Sequence, residues 1–204
     1  MMIETKVITP PEPIPYPQNK VLKKLYRIPI LLFRLGLSKI FSKYILILST
    51  YGRKTGKVHH TPIEYFQHQG RFYVMSGFGT KPDWFKNILA DPNVTLQINQ
   101  KVLHLIARKP ETESEWDAVV AFLKSSPMAE LTEKDSLNTL DKPEVRDAIK
   151  TWPVLTFDAT EETCPTSLET DLLWCWPLIL TGTALALFIW WLCQSKDKKF
   201  LCVR

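Results

Sequence analysis

Residues 94–108 read VTLQINQKVLHLIAR. Two runs, Val94–Asn99 and Val102–Arg108, alternate apolar with polar side chains, with Gln100-Lys101 between them. A period of two puts every second side chain on one face of a strand, so this stretch predicts a β-hairpin with one buried face. The same pattern lies upstream. Thr61–Gln67 (TPIEYFQ) and Arg71–Ser76 (RFYVMS) are joined by His68-Gln69-Gly70, a connection of hairpin length that holds a glycine. Tyr44–Thr50 (YILILST) is apolar and β-branched, and Val154–Phe157 is a short last strand after Pro153. Pro82–Ala90 (PDWFKNILA) reads as a helix with Pro in its first turn, stopped before Asp91-Pro92. Glu113–Lys124 is a second helix, with Trp116, Val119, Val120 and Leu123 on one stripe, and Pro143–Lys150 a short third. Five or six strands in hairpins with few helices predict a mainly-β α+β domain. They point to a small antiparallel barrel and away from a doubly wound sheet.

The chain has 204 residues, 45% of them hydrophobic, 23% charged, and a net charge of +5. These values exclude wholesale disorder and leave room for one domain plus additional segments. All four cysteines (Cys164, Cys175, Cys193 and Cys202) fall late in the chain, which argues against a disulfide framework, and no CxxC suggests zinc. A modest charge with no basic stripe of interleaved aromatics predicts no nucleic-acid partner.

Residues 1–19 carry prolines at 10, 11, 13, 15 and 17, and read as an extended tail with no signal-peptide core. Val21–Leu37 reads as an amphipathic helix on which Leu22, Leu25, Tyr26, Ile30, Phe33 and Leu37 share a face. Lys20, Lys23, Lys24, Arg27 and Arg34 supply charge, and Pro29 kinks or restarts it. The favoured expectation is a helix that packs on the core; the basic-aromatic composition is also that of an interfacial membrane helix. The barrel domain is expected over 20–158, an acidic linker over 159–171, a transmembrane helix over 172–193 and a basic tail over 194–204. Leu172–Cys193 holds no charge, and tryptophans 174, 176, 190 and 191 flank it. Lys196, Lys198, Lys199 and Arg204 follow the segment, and Glu161, Glu162, Glu169 and Asp171 precede it. The positive-inside rule would place the domain outside. The lack of an export signal argues the other way.

Three features carry chemistry. Gly52-Arg53-Lys54-Thr55-Gly56-Lys57 follows an apolar strand, and a tight turn with three cations suits an anion, by a backbone nest and an arginine fork. It lacks the spacing of a P-loop. An ordinary basic turn has the same residues. Met75-Ser76-Gly77-Phe78-Gly79 ends a strand where glycines admit a flat ring or a phosphate close to the backbone, or simply form a flexible loop. In Asp83-Trp84-Phe85-Lys86-Asn87, Trp84 and Asn87 are three apart on a helix, offering an aromatic wall and an amide; Trp84 is equally a core anchor.

The ordered blocks ILILSTYGRKTGKVHHTPIEY, RFYVMSGFG and PDWFKNILADPNVTLQI resemble the deazaflavin (F-420)-dependent nitroreductase family, from about Val21 to Phe157. The resemblance implies a split β-barrel, FMN-binding and flavin-reductase-like, and a deazaflavin coenzyme whose anionic tail lies near the GRKTG turn. It implies that Arg53, Lys54, Thr55 and Gly56 hold that tail, with His59 where the family carries Arg. Ser76, Gly77 and Phe78 would line the ring or phosphate edge, Phe78 standing where the founding member has Lys. Trp84 and Asn87 would complete the pocket. No metal and no acid–base triad are implied, because a reduced deazaflavin needs placement and water exclusion. The expected activity is hydride transfer to a quinone-like or other small lipophilic acceptor. FMN on the same fold, or a non-catalytic membrane-tethered binding module, is the alternative. The implied coenzyme is cytosolic, so the domain is expected at the cytoplasmic face of a membrane. A homodimer is compatible with it.

Overall fold

The computed structural model describes residues 19–125, 140 and 142–200. The expected extended tail up to residue 18, the stretch 126–139 and residues 201–204 lie outside the described residues. The described residues include six strands: β1 (Ile45–Tyr51), β2 (Val58–His68), β3 (Arg71–Met75), β4 (Asn93–Ile98), β5 (Lys101–Arg108) and β6 (Val154–Ala159). They form a closed antiparallel barrel in the order β1-β2-β3-β6-β5-β4, with β4 pairing back to β1. The two predicted hairpins are the β2–β3 and β4–β5 pairs. In the first, Gln69 and Gly70 both take positive φ, the backbone that matches strand twist and that glycine adopts without cost.

Alternation decides what each strand buries. Leu46 and Leu48 of β1, Val74 of β3, Val94 and Leu96 of β4, and Leu155 and Phe157 of β6 meet inside the barrel with Phe85 and Ile88. Tyr73 and Val154 point outward into a second cluster. It is roofed by α4 (Glu113–Ser125) through Trp116, Val119 and Val120, and by α5 (Pro143–Ile149) through Val145 and Ile149. Each such fully buried side chain contributes roughly 1.5–3 kcal/mol of transfer free energy.

The outward residues of β4 are polar yet covered. Thr95 is 0% and Gln97 6% exposed. Their cover is the stretch read as an acidic linker. Thr95 Oγ1 donates to the Pro165 carbonyl at 2.5 Å, and Gln97 exchanges bonds with the Leu168 backbone at 3.2 and 3.1 Å. Asn93 Nδ2 donates to Glu162 at 2.8 Å. Asp171 then takes both Arg34 nitrogens at 2.7 and 2.6 Å. The C-terminal arm is thus strapped along β4.

Two expectations need correction. The Val21–Leu37 segment breaks near Pro29 as expected, but it does not pack on the core along the expected face. It restarts near Pro29 as α1 (Lys20–Leu25) and α2 (Ile28–Arg34), and within α2 only Phe33 is buried. The predicted transmembrane span also differs. Among the described residues no helix is long and apolar enough to cross a membrane. Leu172–Trp174 form a turn, and α6 (Cys175–Phe200) starts three residues later than expected.

A charged knot fixes α4 to the barrel. Thr112 and Glu115 form a reciprocal cap: Glu115 N–H donates to Thr112 Oγ1 at 3.3 Å, and Thr112 N–H to Glu115 Oε2 at 3.2 Å. Glu115 also accepts from Arg108 at 2.7 and 3.1 Å, from Arg71 at 3.2 Å and from the Glu111 amide at 2.8 Å. Asp158 completes the group through Arg108 and Arg71. The Arg108 hydrogen bonds, and then the Glu111 and Thr112 amides, hold the Glu115 carboxyl down from 4.5 to about 2 against the opposing effect of burial. A carboxylate with a depressed folded pKa stabilises the fold above its unfolded value and loses that contribution as the pH falls toward the folded one. Stability should therefore drop as pH falls from 4.5 toward 2. Glu115→Gln should cost on the order of 3 kcal/mol at neutral pH and flatten that drop. Urea midpoints across the window check it; an unaltered pH profile in the variant would remove Glu115 from the account.

Candidate functional site: the basic turn and the helix beside it

The basic turn leaves the barrel at the end of β1, and its backbone closes on itself. Gly52 N–H donates to the Lys57 carbonyl at 2.8 Å, and the Thr55 and Gly56 amides return to the Gly52 carbonyl at 3.1 and 2.7 Å. The Arg53 amide donates to Asn87 Oδ1 at 3.3 Å, and the Lys57 amide to Thr55 Oγ1 at 3.3 Å. The backbone nest predicted for an anion is thus spent on internal bonds. What the turn offers outward is side-chain charge, with Lys54 and Lys57 exposed. Gly52 leaves room for a close neighbour: a Cβ there would lie 2.7 Å from His59 Nε2 and would push that ring aside. His59 therefore packs across the root of the turn, and this contact is invisible in the spacing.

Helix α3 (Asp83–Ala90) reaches this turn directly. Arg53 Nη1 donates to Asn87 Oδ1 at 3.0 Å, and Arg53 Nη2 donates to Asp83 Oδ1 at 3.0 Å. Asn87 Nδ2 in turn donates to Thr50 Oγ1 at 3.3 Å, inside the barrel end. One buried amide, 3% exposed, thus joins β1, the turn and the helix. Arg53 keeps a fixed position, with its charge partly offset by the exposed Asp83 carboxylate.

Trp84 and Asn87 make separate contacts within the fold. Trp84 packs against the inner core and meets Phe85 edge-on at 5.5 Å, while the Asn87 side chain is occupied by Thr50 and Arg53. Ser76 is buried at the end of β3, and its hydroxyl donates to the Gly79 carbonyl at 2.6 Å, shaping the loop. Gly77 is exposed at the apex. Phe78 stands edge-to-face against Tyr26 at 6.2 Å. The loop then runs through Lys81 and Pro82 into α3.

Of the ten predicted site residues, the structure binds Arg53 to Asn87 and sets His59 against the base of the same turn. Lys54, Thr55 and Gly56 lie on that turn; Ser76, Gly77 and Phe78 form a second patch joined to it through α3. Asp83 and Thr50 were not singled out by the sequence reading. Asp83 sits in the quoted helix start, but nothing in a linear spacing shows its partner 30 residues earlier.

Nearby, Ser49 Oγ and His60 Nδ1 lie 2.9 Å apart on the outer face, and burial, then His59, push the His60 imidazole below its ordinary pKa. A cavity of about 430 Å³ lies elsewhere, between the C-terminal arm and the β4–β5 turn, lined by Gly36, Ser38, Gln97, Asn99, Leu168 and Asp171 among others. None of the predicted coenzyme residues lines it.

Because the buried Asn87 amide holds both Thr50 and Arg53, Asn87→Ala should cost about 2 kcal/mol of folding stability. It should also release the turn, so that protease cuts after Arg53 or Lys54 faster than in the parent chain. Urea midpoints and limited trypsinolysis check both effects. Parent-like values in both would show that the amide does not hold the turn.

Residues 36–129 match the family model described as F420H(2)-dependent quinone reductase. Among solved structures, the chain is similar to an F420-H2 dependent reductase, 25% identical over 57% of this chain and 95% of that one, with a TM-score of 0.40. It is also similar to a domain-swapped dimer, 21% identical over 68% and 96%, TM-score 0.39. A third is the heme storage protein HutZ from Vibrio cholerae, 18% identical over 61% and 87%, TM-score 0.36. These structural likenesses are partial, and the family likeness rests on the sequence match. The matched segment, which holds the basic turn, the β3 loop and α3, is similar to the F420H(2)-dependent quinone reductase family, oxidoreductases named for the deazaflavin coenzyme F420.

Proposed function

We propose that this chain passes a hydride from reduced F420 to a quinone-like lipophilic acceptor, with the coenzyme's anionic tail on the GRKTG turn. The observation that carries the reading is Arg53 held by Asn87 and Asp83 beside the exposed Lys54 and Lys57. The residues fit an anionic tail by side-chain charge, and the internally bonded turn keeps those charges in place. Arg53 and Lys54 would hold the tail, Thr55 and Gly56 give the turn its shape, and His59 braces it. Gly77 and Phe78 would border the ring, with Ser76 fixing their loop and Trp84 backing it from the core. When bound, reduced F420 supplies the hydride; the protein orients it and excludes water.

The competing readings, FMN in the same barrel or a binding module without turnover, draw support from the Ser76 and Asn87 side chains being spent on internal bonds. We also infer that α6 attaches the protein to a membrane, with the barrel at the cytoplasmic face where F420 is available. Leu178, Leu185, Leu187 and Trp191 are each at least 60% exposed, an arrangement that lipid satisfies and water does not.

Absorbance titration of the purified chain with F420 and with FMN separates the three readings. F420 should bind at micromolar concentration or tighter. Arg53→Ala should weaken it about tenfold or more, the worth of one charge-assisted contact. Asp83→Asn should tighten it by about twofold, because an exposed competing carboxylate is removed. Tight FMN binding in place of F420 would reassign the coenzyme. Binding of F420 unaffected by Arg53→Ala would move the tail elsewhere.

A further inference from the structure

Between Glu12 and Glu64 the sequence contains no acidic residue, while Lys20, Lys23, Lys24, Arg27, Arg34, Lys39 and Lys43 all fall between residues 20 and 44. The structure folds this stretch into α1, α2 and a short 3-10 turn at Ser38–Ile40 that leads into β1. Apart from Phe33, many of its apolar residues are exposed. Val21, Leu25, Tyr26, Ile28 and Leu31 range from 45% to 64% exposed, and Ile40 and Tyr44 reach 71% and 62%. Lys24, Arg27, Lys39 and Lys43 are exposed among them, and Lys43 Nζ lies 5.1 Å from the Tyr44 ring centre. Among the cations with described side chains, Arg34 is tied down by Asp171.

This surface is continuous with the root of α6. The Leu172 amide donates to the Arg34 carbonyl at 3.1 Å, and Trp176 Nε1 donates to the Leu35 carbonyl at 3.0 Å. Gly36 lies so close to Leu173 that a Cβ would sit 2.8 Å from its Cδ2. These three contacts, with the Arg34–Asp171 pair, clamp the end of α2 and the two residues after it to the start of the apolar helix. A second copy of the chain would bring the same cations to the same face and repel it.

We propose that α1, α2 and residues 38–44 form an interfacial docking face for an anionic lipid bilayer. Exposed aliphatic and aromatic side chains enter the acyl boundary, and Lys24, Arg27, Lys39 and Lys43 meet the headgroups. The combination of apolar area and unopposed cations is what an interfacial helix requires. Tyr26 belongs to this face and also touches Phe78 of the β3 loop, so docking sets that loop beside the lipid. The proposal rests on α6 only for continuity, and its test separates the two.

The full chain is reconstituted with phosphatidylcholine vesicles and with vesicles that also contain phosphatidylglycerol. Flotation and amide hydrogen exchange are read on the same samples. The chain should float with both. The amides of 20–34 should exchange at least tenfold more slowly with the anionic vesicles than with the neutral ones. Lys24→Gln/Arg27→Gln, two exposed positions, should reverse most of that protection while flotation persists. Flotation with both vesicles but equal exchange in 20–34 would overturn the docking face and leave α6 attachment standing. Protection that grows with protein concentration and ignores lipid charge would mean that a second copy covers the face, and would overturn the proposal. Failure to float with either vesicle would overturn both readings.

Discussion

Strand β1 is hydrogen-bonded on both edges, to β2 along its whole length and to β4 through Ile47, Leu48 and Ser49. The β4 pairing closes the barrel and removes the sheet edges that would otherwise be exposed. It also buries β1 on both faces: Leu46 through Thr50 are all inaccessible. Such a strand has no freedom to slip, because a shift of one residue would exchange its two faces. The turn that follows it is therefore launched from the most constrained strand of the molecule. This is why a loop with exposed lysines can still have a defined shape.

Constraint passes outward from β1 in two directions. Inside, Thr50 receives the Asn87 amide, and Asn87 receives Arg53, so the position of the guanidinium is referred back to the barrel end. Outside, Ser49 and Thr95 form a row with His60 and His104 across the β2, β1, β4 and β5 strands. Thr95 Oγ1 also donates to the Pro165 carbonyl, so its contact with His104 leaves the hydroxyl as the acceptor. The C-terminal arm is thereby part of the barrel's outer wall.

Much of this was legible in the residues. The alternation in VTLQIN and VLHLIAR named the faces of β4 and β5, and the glycine in His68-Gln69-Gly70 marked the β2–β3 turn. The three motif blocks carried the family. The middle of the arm was illegible because its bonds run from Thr95 and Gln97 to its own backbone, and a chain has the same backbone groups whatever its sequence. Its acidic, proline-containing composition looked like a linker for that reason. The exposed face of α1 and α2 was misread for a different cause. An apolar stripe of helical period reports that something covers it, but not whether the cover is protein or lipid. The nest was misread because its glycines permit either an open or a self-bonded turn.

These elements make one account of the proposed redox function: a closed barrel fixes a basic turn, a helix locks its arginine, and exposed apolar helices are proposed to meet the lipid that would carry a lipophilic acceptor. The most direct measurement mixes the full chain in lipid vesicles with reduced F420 and a membrane-soluble quinone, and follows coenzyme reoxidation. The account predicts that each protein molecule reoxidises many equivalents of F420 when both quinone and protein are present, and almost none when either is left out. Tight F420 binding with no acceleration over the protein-free mixture, for quinones and other lipophilic acceptors alike, would contradict it and leave a coenzyme-binding module in its place.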